Sequence, residues 1–400
     1  VAWHTLNGTK EQALLDLIDD WNRTNPYGIT VMPERRDTNS INNSVQQGID
    51  QKALPALMLV STAQAANYYQ KGILTPLDTY IEDATNGWDA SDRADLYPFV
   101  LKAGIAPNGQ IVGIPYGGAV SVMYFNRDWL KTINLDGAPS TWDEFSTACN
   151  SATDHTKGTL CFGIDTNTTA FELWLYAHGG QVTTDNLSVL QISTPAALEA
   201  MNQLATFVHA NQTYRVTTRQ QSLDDFASSR VLFTFDWSDQ LNDVSTAVKE
   251  HGDFDWGVGL LPEAEGRSRM TKLIAPLWVI TRTPSSQNHD REMAAWLFIR
   301  WLMDDEQTAR WATQTGDLPA RLSAVNTLST NTTIESAQNT ILRDIAPLAR
   351  PEPLVSGWNC VETVLSGAIR QVFDGQPVTD TLQLAQATGQ AQLNNTCPSQ

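Results

Sequence analysis

Four hundred residues exceed what one hydrophobic core usually organises, and 42% apolar content is enough to build two, so two domains of roughly 150 to 200 residues are expected. A net charge of −18 disfavours nucleic acid and anionic membrane as partners, because phosphate binding needs clustered Lys and Arg that this chain lacks. No stretch approaches the roughly 18 consecutive apolar residues of a membrane span; the best run, Ala53 to Val60, is short and contains Pro55, so a soluble chain is expected.

In chain order, Ala2 to Thr5 reads as the end of a strand and Asn7-Gly8 as its turn. Leu14, Leu17, Ile18 and Trp21 then recur at helical spacing up to Asn25-Pro26, with Thr9 and Gln12 as a weak capping box. Ile29 to Pro33 predicts a second strand, Asn42 to Lys52 a helix, Ala56 to Val60 a strand buried on both faces, and Ala63 to Lys71 a helix. This β-α-β-α-β rhythm is that of a parallel sheet. Gly113 to Asn126 combines a bend at Pro115 and Gly117-Gly118 with a β-branched and aromatic run, the pattern of a strand leaving one body for another.

A second round follows. Trp129 to Ile133 predicts a helix, Ser140 to Glu144 a helix start, Leu160 to Asp165 a strand and Phe171 to His178 an aromatic helix. Leu198 to Ala210 and Leu223 to Ser229 read as helices, Val231 to Phe235 and Phe254 to Leu261 as strands. Lys272 to Thr281 predicts a strand returning towards the first body, followed by helices from Arg291 to Met303 and from the cap at Asp304 to Thr315. Gly316 to Pro319 is a further bend, and the remainder reads as largely helical to Cys397. Cys149 with Cys161, and Cys360 with Cys397, are natural local disulfide pairs in an oxidising compartment; four buried thiols are the alternative. The first residue is Val1, so a removed leader and a trimmed start are both open readings.

No catalytic signature is present: GxGxxG, a Walker loop, GxSxG and HExxH are all missing, and no metal or cofactor is expected. Aromatic and polar residues do recur just after predicted strands: His4, Thr5 and Asn7, then Asp37, Ser61 and Thr62, Tyr116, and Asp236 with Trp237. In open parallel sheets the crevice beyond the carboxyl ends of the strands binds ligands, so these positions are expected to converge. Thirteen tryptophans suit stacking on a sugar face, although for each one taken singly core packing is the better expectation.

Trp3-His-Thr-Leu-Asn-Gly8, Phe226 to Val231, Trp256 to Pro262, Leu277-Trp-Val-Ile280, Ala295 to Leu302 and Trp311 to Arg321 together resemble the family 1 extracellular solute-binding proteins of ABC importers. Tyr124-Phe-Asn126 before Trp129 also fits, and the similarity is to the glycerol-3-phosphate and sugar-binding branch. The resemblance implies an α/β, periplasmic-binding-protein-like type II fold: two α/β lobes with a hinge and an interlobe cleft. It places one lobe at residues 1–116 plus 275–316, the other at 120–270 plus 320–400, and hinges near 116–120, 271–276 and 316–319. It also implies an extracytoplasmic protein, periplasmic or lipid-anchored to the outer face of the cytoplasmic membrane, that works as a monomer with ABC permease subunits and is not an enzyme.

Family positions fall on His4, Thr5, Asp37, Thr62, Gly118, Trp237, Ala275 and Asp317. The chain departs from the glycerol-3-phosphate branch, which resembles a Gly-Gly-Ala run at Leu273-Ile-Ala275, a Tyr at Asp317 and an Arg near Leu354 to Trp358. An acidic pocket without that Arg suits a neutral sugar or oligosaccharide, with Trp174, Trp237 and Trp358 as stacking faces and Asp37, Asn167, Asp236 and Asp317 as hydroxyl partners. The alternatives are glycerol-3-phosphate or a glycerophosphodiester such as glycerophosphocholine, whose cation suits Trp and Asp together, and, in another class, a secreted glycoside hydrolase.

Overall fold

The computed structural model describes residues 1–38, 40–282, 288–327, 332–393 and 395. The chain starts as the sequence pattern requires. Ala2, Trp3 and His4 are all buried as β1 (Ala2–His4), and α1 (Gly8–Thr24) packs Ala13, Leu14, Leu17, Ile18 and Trp21 beneath it. The second strand falls later than its apolar pattern suggests. Asn22 of α1 bonds both the N–H and the C=O of Val31, and Asn25 does the same for Ile29, so those backbone groups are already taken. Pairing with β1 begins only at β2 (Pro33–Arg35). α2 (Ile41–Asp50) leads to β3 (Leu57–Val60), which is buried throughout, and then to α3 (Thr62–Gln70).

Two sheets result. The first has five strands in the order β2-β1-β3-β11-β4, where β4 is Ile114–Pro115 and β11 is Leu277–Ile280; β1, β2 and β3 are parallel and β11 runs against β3 and β4. The second follows the order β12-β10-β5-β8-β6-β7. Here β5 is Ala119–Asn126, β6 Leu160–Ile164, β7 Thr213–Arg215, β8 Val231–Trp237, β10 Thr271–Ile274 and β12 Ala349–Pro351, and β9 (Trp256–Gly259) also pairs with β5.

The apolar stretch expected as one strand over 272–281 is therefore two, with Ala275-Pro276 between them. The proline removes a ladder donor at the point where the chain passes from one sheet to the other. The carboxyl-terminal part contains a strand, β12, that the sequence pattern does not suggest, because Ala-Arg-Pro lacks the β-branched signature; Pro351 is tolerated on this edge strand.

Three segments cross between the sheets: Tyr116 to Gly118, Ala275-Pro276, and the turn after the helix Asp305–Thr315. Gly316 ends that helix at φ 78°, and a Cβ there would lie 2.8 Å from the Asp239 carbonyl, so both the conformation and the close approach require glycine. The third crossing does not deliver the chain straight to the second sheet. Ala320 accepts from the Tyr97 amide, Leu322 donates to the Asp95 carbonyl, and strand pairing with the second sheet begins again only at β12. One buried cluster runs through the crossings, from Leu14 and Trp278 to Val122 and Phe226, while Phe145, Phe162 and Trp174 anchor a second core within the second body. Cys149 and Cys161 are joined, Cys360 is also disulfide-bonded, and Cys397 lies outside the described residues.

Candidate functional site

The parallel strands of both sheets point their carboxyl ends at the seam between them. On the first sheet, local structure occupies most of the groups delivered there. His4 is buried, its carbonyl accepts from the Arg36 amide, and burial holds its imidazole below its ordinary pKa; among the described residues Nδ1 has no partner. Thr5 is half-buried beside it. Ser61 and Gln64 form a reciprocal capping box at the start of α3, and Thr62 is buried behind it. Asn7 occupies the N-cap of α1 but makes no side-chain cap, leaving an exposed amide. Asp37 is exposed, and its carbonyl receives the amides of Ser40 and Ile41.

The second sheet presents a cavity. About 240 Å³ lies beyond the ends of β6, β7 and β8, floored by Ile164, Ala170, Leu173 and Phe235 and rimmed by Asp165, Asn167, Arg219, Asp236 and Trp237. Each rim group is held by its neighbours. Asn167 caps the helix Thr168–Ala177 through its carbonyl oxygen and donates to Asp165 at 2.7 Å. Arg219 donates to Asp236 at 2.8 Å, opposing the burial that pushes the Asp236 carboxyl above its usual range. Trp237 is half-buried, and the buried Tyr124 hydroxyl donates to its carbonyl at 2.9 Å. An apolar floor with an indole and convergent polar groups can hold a small polyhydroxylated solute by face contact and hydrogen bonds.

Charged clusters brace the seam. Lys10, in the first turn of α1, reaches Asp317 at 2.7 Å and Asp239 at 3.0 Å. Burial alone would lower its pKa, but the two carboxylates prevail and hold the ammonium above its ordinary value. Asp317 also accepts from the Trp311 indole N–H at 2.9 Å, and Trp311 packs 5.0 Å from Tyr116. Behind β10, the buried Lys272 ammonium meets Glu172 at 2.7 Å and Glu352 at 3.1 Å, with Glu362 at 4.0 Å. Burial raises the Glu172 carboxyl to about 7 against the pull of Lys272.

The structure thus brings Asn167, Asp236 and Trp237 to one cavity, and sets Asp317, Tyr116, Gly118 and Ala275 at the crossings. Tyr116 donates to the Gln307 carbonyl and Gly118 accepts from the Leu318 amide; a Cβ on Gly118 would approach the Ile274 carbonyl and Ala275. Two expected stacking faces are corrected. Trp174 lies wholly inside the second core among Phe145, Phe162 and Phe207, because its helix is buried on nearly every side, and Trp358 is equally buried where the helix Trp358–Phe373 joins that core. Asp165, Arg219, Lys10 and Asp239 were not singled out in the sequence. Asp165 was reachable, since it ends a predicted strand; the other three needed the fold. Among the described residues no group of three His, Cys, Asp or Glu is placed to hold a metal ion, and no helix is long and apolar enough to cross a membrane.

Comparison with known proteins gives consistent results. A family described as bacterial extracellular solute-binding protein matches residues 16–339. Curated relatives include a putative binding protein of Brucella abortus (strain 2308), 21% identical over 82% of this chain and 76% of the relative. Another is an sn-glycerol-3-phosphate-binding periplasmic protein of Yersinia pseudotuberculosis, 22% identical over 80% and 74%. Among solved structures, the cyclic alpha-maltosyl-1,6-maltose binding protein from Arthrobacter globiformis superposes with a TM-score of 0.82 at 18% identity, covering 98% of each chain. The sugar-binding protein MalE from Xanthomonas citri gives 0.82 at 16% identity, covering 98% and 96%. The fold is the two-lobed, type II periplasmic-binding-protein-like architecture. This chain belongs to the bacterial extracellular solute-binding protein family: an extracytoplasmic, non-enzymatic protein whose family membership implies a small-molecule ligand and an ABC permease as partner.

Proposed function

We propose that this protein captures a neutral sugar or short oligosaccharide at the seam between its two sheets and presents it to an ABC permease. The observation that carries this reading is the cavity at the ends of β6, β7 and β8, where the Trp237 indole, an apolar floor and the polar groups of Asp165, Asn167 and Asp236 lie together. Two of the structural neighbours are named for sugars, which agrees with it. The two lobes, residues 1–116 with 275–316 and 120–270 with 320–400, close about the segments near 116–120, 271–276 and 316–319. Closure lets the solute touch both lobes at once. A solute that makes extra contacts only in the closed state shifts the population towards it, and the permease reads that state.

A second reading, glycerol-3-phosphate or a glycerophosphodiester such as glycerophosphocholine, is favoured by the relatives named for the phosphate ester. Against it, the Arg219 guanidinium is already paired with Asp236 and Asp243. Calorimetry with mono-, di- and trisaccharides, sn-glycerol 3-phosphate and glycerophosphocholine decides between them. Stoichiometric saturation by a neutral sugar is expected, and binding of the phosphate compounds alone contradicts the sugar reading.

A further inference from the structure

We infer that the Asp239–Lys10–Asp317 cluster is a specificity filter that keeps anionic solutes out of the cleft, an inference that rests on the seam being the solute site. The place is otherwise made for an anion. Lys10 sits in the first turn of α1, directly beyond the carboxyl end of β1, and the N-cap residue Asn7 leaves the amides of that helix end without a side-chain acceptor. Free amides at a helix start together with an ammonium are what a phosphate or carboxylate ligand seeks. Here the ammonium already donates to two carboxylates: Asp239, two residues beyond Trp237 on the second body, and Asp317, in the third crossing.

Neither carboxylate is free to leave. Their side chains are only 9% and 6% exposed, and Asp317 is held by the Trp311 indole and by its own amide on the Thr315 hydroxyl. The Lys10 side chain is 35% exposed and is the open member of the cluster, so an incoming anion finds an ammonium already outnumbered by two fixed carboxylates, and like charges brought together away from water repel strongly. The neighbouring cations are also paired, Arg219 with Asp236 and Asp243, Arg35 with Glu11, and Arg36 with Glu34, but each of these has a carboxylate partner at least 23% exposed and yields more readily. The buried pair on Lys10 is the part that discriminates.

The test uses inorganic phosphate as the probe, followed by thermal shift and calorimetry against chloride at equal ionic strength. Wild-type protein shows no phosphate-specific stabilisation. The double variant D239N/D317N, with Lys10 released, gains phosphate affinity by at least about tenfold, and adding K10Q removes the gain. Phosphate binding by the wild type, a folded double variant without gain, or a gain that survives K10Q overturns the inference. Should the double variant fail to fold, D239N alone is judged by the same readouts, with a gain of about threefold expected. Because the probe is phosphate, failure of every sugar to bind would count against the sugar reading alone and leave this outcome decided.

Discussion

The two sheet edges meet the same seam with different equipment. At the first, the residues that follow the strands mostly serve their own body: Ser61 closes a capping box, His4 is buried, and Tyr116 is tied to the Gln307 carbonyl. At the second, Asp165, Asn167, Arg219, Asp236 and Trp237 surround open space. The proposed function divides the parts accordingly: the second body would hold the solute, and the first would supply the wall that closes on it. Parallel strands deliver polar residues to both edges alike, and what decides is whether the next helix start and the crossings take those residues up first.

The largest effect belongs to the anchor behind that edge. Replacing Lys272 by Met leaves Glu172, Glu352 and Glu362 without their buried cation, and breaking such a pair costs about 3–5 kcal/mol, readable as a lower urea midpoint. A midpoint that does not move would show that β10 is not held to the second body through this cluster. Trp237→Ala is next: loss of a half-buried anchor is expected to weaken solute affinity by about 2 kcal/mol with little change in unfolding. Equal affinity in that variant would move the stacking face elsewhere. Ser61→Ala probes the opposite edge and should remove about 1 kcal/mol of stability while leaving affinity nearly intact; a larger loss of affinity would erase the contrast between the edges.

An effect of another kind is a pH slope. Burial raises Glu172 from its ordinary 4.5 to about 7, so its contribution to stability is whole below 4.5 and is lost as pH rises through 7. Glu172→Gln cannot titrate, and the stability difference between wild type and variant should therefore shift against the wild type across that window. A difference that stays flat from acid to neutral pH would show that the carboxyl is not raised.

Much of the fold was legible because its signals are local. The spacing of Leu14, Leu17, Ile18 and Trp21, the apolar run at Leu57–Val60 and the bend at Pro115 to Gly118 each announce their elements. β2 starts later because Asn22 of α1 and Asn25 just after it take up the backbone upstream, which no periodicity reveals. The site was legible only by rule of place. Asn167, Asp236 and Trp237 follow strands and do reach the cavity, whereas Trp174 and Trp358 have the right chemistry on helix faces that turn inward. Lys10, Asp239 and Arg219 acquire their meaning from partners up to 307 residues away, and such pairings exist only after folding.

A crystal structure of the protein saturated with the solute that binds in calorimetry tests the central claim most directly. The predicted result is a sugar ring against the Trp237 indole, its hydroxyls within hydrogen-bond reach of Asp165 or Asp236, and at least one contact from the first sheet. A solute seated instead in the separate crevice of about 300 Å³ beside Tyr176, Arg350 and Glu352, or touching one body alone, would contradict it.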